Sequence, residues 1–151
     1  MENDPIHTIA LLYPRLMRAM SHLRGVVDGG MDLSYNQYKA LLSLSDIGPC
    51  TLNALSRDLG VATSSASQMI DRLLIMGLVR RGPGDGDRRQ VELRTTEDGE
   101  ALLKSVGEGI LLRYRELFEH LSPSEQANLA GAIHTLVRIL ERASRDREEG
   151  G

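Results

Sequence analysis

Between residues 63 and 76 the side chains sort by type around a helical wheel. At ~100° per residue, Ala66, Met69, Ile70, Leu73, Leu74 and Met76 gather on one half; Ser64, Ser65, Ser67, Gln68, Asp71 and Arg72 take the other. The first half suits a core. The second presents short hydroxyls near the helix start, then an amide and a guanidinium. Small serines let a helix enter a major groove about 12 Å wide, a glutamine can pair bidentately with adenine, and an arginine with guanine or a phosphate. Backbone N–H groups at the helix start can hold a further phosphate. An ordinary surface helix favours Glu and Lys for propensity and solubility, and this stretch has neither. The pattern points to double-stranded DNA as partner.

A second basic group follows. Arg88 and Arg89 come directly after Gly82-Pro83-Gly84-Asp85-Gly86-Asp87, a run of high backbone freedom. Arg80 and Arg81 precede that run and Arg94 follows it. A flexible tip ending in arginine can reach phosphates or a minor groove, whose negative potential attracts guanidinium.

These groups need a scaffold, and the flanking periodicities supply one. Helical patterning runs from residue 51 to about 76 with a break at Gly60, as in a helix-turn-helix. Residues 78–81 and 90–95 read as two strands of a hairpin; in the second, Val91, Leu93 and Thr95 alternate with Gln90, Glu92 and Arg94. A helix over residues 34–46 carries Tyr38, Leu41, Leu42 and Leu44 and stops at Gly48-Pro49. Upstream, Ile6, Tyr13, Met20 and Val27 interleave with Ile9, Leu16 and Leu23 as an a/d seam over residues 5–27. Downstream, Thr96 is an expected N-cap with Glu97 and Asp98 behind it. The helix that follows carries Leu103, Val106, Ile110, Tyr114, Leu117 and Leu121. Ser122-Pro123-Ser124-Glu125 reads as a capping box, and opens a last helix with Leu129, Ile133, Leu136 and Leu140. The fold class is mainly α with one small β-hairpin, a winged helix-turn-helix with terminal helices outside it. Those apolar seams exceed what a small central module can cover, so association of two chains is expected.

Asp87-Arg88-Arg89-Gln90-Val91-Glu92-Leu93-Arg94-Thr95-Thr96 resembles the D-x-R-x5-L-T wing signature of the MarR family of regulators, and Asp71-Arg72-Leu73 with Gly77-Leu78-Val79-Arg80-Arg81 is similar to its D-R-L…G-L-V-x-R stretch. The resemblance implies one MarR-like domain over residues 1–151. Its DNA-binding lobe would span 34–96, and residues 5–30 and 97–145 would form dimerisation helices. It implies that Ser64, Ser65, Ser67, Gln68 and Arg72 lie in or beside the major groove, that Arg88 enters the minor groove, and that Asp87 and Arg89 hold the wing in shape. It further implies a homodimeric transcription regulator, a repressor, released by a small aromatic acid. The pocket candidates are His7, Tyr13, Arg15, Arg18, Tyr35 and Tyr38. Two positions depart from the pattern. Thr95 replaces a usual Leu under the wing, and Ala62 stands where a hydroxyl N-cap is common, leaving Thr63 as the expected cap.

Composition sets the outer bounds. The chain has 151 residues, no Trp, one Phe and four Tyr, so its core is aliphatic. Net charge is −3, but residues 51–96 hold seven arginines against five acids, and a protein acidic overall can still present a basic face. No apolar run approaches the roughly 18 residues of a membrane span, and the acidic residues 1–5 do not suit a secretory leader; a cytoplasmic protein is expected. Cys50 alone forms no disulfide framework; a redox switch at Cys50 stands as an alternative trigger. His7, His22, His120 and His134 lack metal-ligand spacing, and Arg89 occupies a ligand position in the calcium-like Asp85-Gly86-Asp87 run, so no metal or cofactor is expected. Phosphate-loop, nucleophile-elbow and zincin motifs are missing, which argues against an enzyme. The rival reading is a winged-helix module for protein–protein contact, which Ile75, an apolar residue on the polar side of the wheel, favours and the Ser64–Arg72 run opposes.

Overall fold

The computed structural model describes residues 4–28, 33–84, 86 and 90–149. The wing-tip candidates Asp87, Arg88 and Arg89 lie outside the described residues. Element order is α1 (Pro5–Asp28), α2 (Tyr35–Ile47), α3 (Leu52–Leu59), α4 (Thr63–Ile75), β1 (Val79–Pro83), β2 (Val91–Thr95), α5 (Glu97–Phe118) and α6 (Pro123–Glu149). The backbone divides into two compact units, residues 1–111 and 112–151.

In the first unit, helices begin and end where local chemistry directs. Ser34 caps α2 reciprocally with Gln37: the Gln37 N–H donates to Ser34 Oγ (3.2 Å) and the Ser34 N–H to Gln37 Oε1 (3.0 Å). Thr51 caps α3 by accepting from the Ala54 N–H (3.2 Å). Gly60 then ends α3 at φ +64°, the left-handed conformation that turns the chain into α4. Ser56, buried at this turn, donates to the Asn53 carbonyl (3.0 Å) and lies 3.4 Å from the Thr63 hydroxyl. Thr63 is thus occupied and does not cap α4. Ala62 holds the N-cap position with no side-chain hydrogen bond.

The core is aliphatic. Leu41 and Leu44 of α2, Leu55 of α3, and Ile70 and Leu73 of α4 are fully buried, with Leu33, Ala40, Leu78, Val79 and Leu93 around them. Burying each large side chain contributes about 2 kcal/mol. Leu102 and Leu103 of α5 pack onto the same cluster.

β1 and β2 pair antiparallel, with Val79 opposite Thr95, Arg81 opposite Leu93, and Pro83 opposite Val91. β1 therefore runs two residues further than the sequence suggested. Of the row Val91, Leu93 and Thr95 on one face of β2, Leu93 is buried in the core, while Val91 is 58% exposed beside its exposed partner Pro83. Met76 is likewise exposed rather than inward. On its other side β2 is bridged by Cys50, whose N–H donates to the Leu93 carbonyl (3.2 Å) and whose carbonyl accepts from the Leu93 N–H (2.7 Å).

The Thr95 departure has a polar substitute for the missing apolar anchor. The Thr95 hydroxyl donates to Glu100 Oε1 (2.5 Å), and the same carboxylate accepts from Ser45 Oγ (2.9 Å). Glu100 thereby ties β2 to α2. Thr96 caps α5 as expected, accepting from the Gly99 N–H (3.1 Å) and donating to the Gly77 carbonyl (2.7 Å).

In the second unit, Tyr114 and Phe118 stack at 5.9 Å. The Ser122 capping box forms, with the Ser122 N–H on Glu125 Oε2 (2.9 Å) and the Glu125 N–H on Ser122 Oγ (3.3 Å). Gln126 Nε2 donates to the Phe118 and Leu121 carbonyls, closing the turn. Ile133, Leu136, Val137, Ile139 and Leu140 of α6 are exposed. So, in the first unit, are Ile6, Ile9, Tyr13, Leu16 and Met20 of α1.

Candidate nucleic-acid interface

α4 buries Ala66, Ile70 and Leu73 at i, i+4 and i+7, which turns the opposite face outward. Ser64, Gln68, Asp71 and Arg72 are exposed; Ser65 and Ser67 are half-buried on its flanks. All five α4 residues proposed from sequence thus reach the surface, on one continuous helix. Because no side chain caps its first turn, the N–H groups there are available to an anionic oxygen.

The electrostatics of this face depend on a contact that sequence reading missed. Arg81 Nη2 of β1 bonds Asp71 Oδ1 at 2.9 Å. Asp71 is the one acid on α4, so the bridge neutralises the group that would repel a polyanion, and it pins β1 against α4. Both partners are about half exposed, and such a pair contributes at most ~1 kcal/mol; its effect is on charge and placement. Arg72 is exposed and makes no ion pair among the described residues. On β2, Arg94 pairs with Glu92 at 3.1 Å.

The arrangement is an exposed helix with a neutral-to-basic polar face, braced by a basic hairpin. The MarR family model matches residues 33–91, the segment that contains α2, α3, α4 and β1 and ends at the first residue of β2. The multiple antibiotic resistance protein MarR of Salmonella typhimurium is 31% identical over 103 residues, covering 66% of this chain and 69% of that protein.

The chain belongs to the MarR family.

Members of the MarR family are transcriptional regulators that bind operator DNA through a winged helix, and they are not enzymes. Solved structures agree on the fold. A MarR variant from E. coli complexed with operator DNA superposes with TM-score 0.68 at 23% identity, covering 89% of this chain and 99% of that one. Bordetella bronchiseptica BpsR, whose DNA binding is regulated by 6-hydroxynicotinic acid, superposes with TM-score 0.67 at 22% identity, covering 84% and 98%.

The effector-pocket candidates fall on two elements. His7, Tyr13, Arg15 and Arg18 lie exposed along α1. On α2, Tyr35 sits under the Lys39 ammonium at 5.9 Å, and Tyr38 packs against the core. A half-open cavity of about 200 Å³ lies elsewhere, between Gly48-Pro49 and the hairpin residues Arg80, Arg94 and Thr95. Among the described residues no cluster could hold a metal ion, and no helix is long and apolar enough to cross a membrane.

Cys50 is half-buried beside β2. Burial raises its thiol pKa above the ordinary 9.0, and the nearby Asp58 and Glu92 charges raise it further, against a smaller opposing hydrogen bond to Leu55. Less thiolate at neutral pH means slower reaction, since the thiolate is the nucleophile. The native protein is expected to react with an alkylating reagent at pH 7.5 more slowly than a free cysteine, and to match it only after denaturation. Native labelling as fast as free cysteine would reopen the redox alternative.

Proposed function

We propose that this chain is a cytoplasmic homodimeric repressor that holds a pseudo-palindromic operator and is released by a small aromatic acid. The observation that carries the reading is the α4 face: Ser64, Ser65, Ser67, Gln68 and Arg72 displayed around an uncapped helix start, with Asp71 neutralised by Arg81. The serines give clearance, Gln68 reads adenine, and Arg72 takes guanine or a phosphate. Arg88 reaches the minor groove from the wing, with Asp87 and Arg89 shaping the tip. Operator binding by the related E. coli structure supports the same use of the fold.

Dimerisation through residues 5–30 and 97–145 is supported by the exposed apolar residues of α1 and, separately, of α6. Rows of exposed Ile, Leu and Met of that extent are rare on a monomer and mark an association surface. The effector reading places an aromatic carboxylate among His7, Tyr13, Arg15, Arg18, Tyr35 and Tyr38, and BpsR offers a precedent for an aromatic acid acting on a protein of this fold.

Binding of the full chain to duplex from beside its own gene, with and without a panel of aromatic acids, tests the whole reading. A protected pseudo-palindrome with half-site centres about 10 bp apart, lost on adding an aromatic acid, is expected. Binding without sequence preference, or none, would favour the protein-contact module. In the same assay Arg88→Ala is expected to weaken binding to all sequences and to lower the slope of log K against log salt by about one. An unchanged slope would remove Arg88 from the phosphate contacts.

A further inference from the structure

The most exposed large apolar side chain among the described residues is not on either terminal seam. It is Ile75, 78% exposed, at the end of α4. On the wheel it stands ~20° from Gln68 and ~60° from Arg72, so it lies within the polar face, not beside the core. Residues 68, 71, 72 and 75 have the i, i+3, i+4, i+7 spacing by which a helix laid along a major groove brings four side chains to base edges. A β-branched side chain there favours neither helix propensity nor solubility, and it adds nothing to the buried cluster.

We propose that Ile75 is a specificity-determining residue of the operator contact, packing on the C5-methyl of a thymine in the major groove. The inference rests on the DNA-binding reading above and names what one position of the site must be. The chemistry fits one base feature. Of the four bases only thymine presents an apolar group to the major groove, and Ile75 is the one large apolar side chain that α4 turns fully outward. Seven residues at ~1.5 Å rise place it roughly 10 Å beyond Gln68 along the helix, about three base pairs on at ~3.4 Å per step. Arg72 between them holds the intervening base or phosphate, and the Arg81–Asp71 bridge keeps the acid beside Ile75 from opposing the approach.

The experiment selects duplexes for the full chain from a random pool. Each thymine of the selected half-site is then replaced, one at a time, by deoxyuridine, which removes only the methyl. A Gln68→Ala variant selected in the same way marks the base that Gln68 reads, as the position where preference is lost. With the parent chain, one replacement about three base pairs from that position is expected to weaken binding about fourfold, the equivalent of ~0.8 kcal/mol for one buried methyl. Ile75→Ala is expected to bind the parent duplex about as weakly as that and to be indifferent to the same replacement. The variant is not expected to disturb folding, because Ile75 is 78% exposed and lies outside the buried cluster. If the pool enriches a sequence but the deoxyuridine profiles of the two proteins coincide, the thymine contact is wrong and the DNA reading stands. A variant with unchanged base profile but weaker self-association in sedimentation overturns it equally, making Ile75 part of a protein contact. If no sequence enriches at all, the DNA reading fails and the inference with it.

Discussion

Gly99→Val is expected to destabilise the chain by roughly 3 kcal/mol and to abolish operator binding. Gly99 is the third residue of α5, the place where a capping box would carry Glu. A Cβ built there would sit far inside van der Waals contact with the Leu78 carbonyl oxygen, 3.2 Å from its carbon, and 3.5 Å from Leu41 Cδ1. The obstacle is backbone and cannot rotate away. That carbonyl already accepts from the Thr96 N–H (3.1 Å), while Leu78 and Leu41 both belong to the buried cluster. Relief must therefore come from shifting the start of α5 away from the root of β1. The same shift strains the Thr96 bond to Gly77 and displaces the strand that Asp71 and Arg81 hold beside α4. Denaturant midpoints measure the first effect and operator titration the second. Gly107→Ala is the control: nothing lies within 4 Å of a Cβ there, so the substitution is expected to be neutral or to add up to ~1 kcal/mol through helix propensity. A Gly99→Val midpoint equal to that of the control would show that the close approach is not a constraint.

Gly99 also illustrates what the sequence could and could not reveal. Features set by neighbours within about four residues were legible: the two-sided wheel of α4, the breaks at Gly48 and Gly60, and the caps at Thr96 and Ser122. Each follows from periodicity or from a side chain reaching its own helix. Thr63, the expected cap of α4, is instead the first residue of the helix, with Ala62 at the N-cap and Ser56 3.4 Å from the Thr63 hydroxyl. The contacts that were not legible are long-range. The Arg81–Asp71 bridge, the Ser45–Glu100–Thr95 link and the pairing of Cys50 with Leu93 join elements whose mutual placement no periodicity encodes. Hairpin alternation put Val91 and Leu93 on one face, yet only Leu93 is buried, since alternation says which face a residue takes and not where the core ends. At the interface, residue types identified the α4 face, but the neutralising of Asp71, which makes that face fit for a polyanion, became visible only in three dimensions.

Ser64→Glu separates the stability of α4 from its use. Ser64 is exposed in the first turn of a helix with no capping side chain and no acid in that turn. A carboxylate placed there meets the positive end of the helix dipole, which favours it by about 0.3–1 kcal/mol, and Glu has the higher helix propensity. Folding is therefore expected to be unchanged or slightly improved. Operator binding is expected to move the other way. If Ser64 and the first-turn N–H groups face a phosphate or a base edge, the new charge both competes for those donors and opposes the DNA, and like-charge juxtaposition costs several kcal/mol. A loss of about 100-fold, equivalent to ~2.7 kcal/mol, is expected, against only a few-fold for Ser64→Ala. Thermal denaturation and operator titration of the same preparation give both signs together. A Ser64→Glu protein that keeps full operator affinity would turn the α4 face away from the DNA, and the readings of Gln68, Arg72 and Ile75 would fall with it.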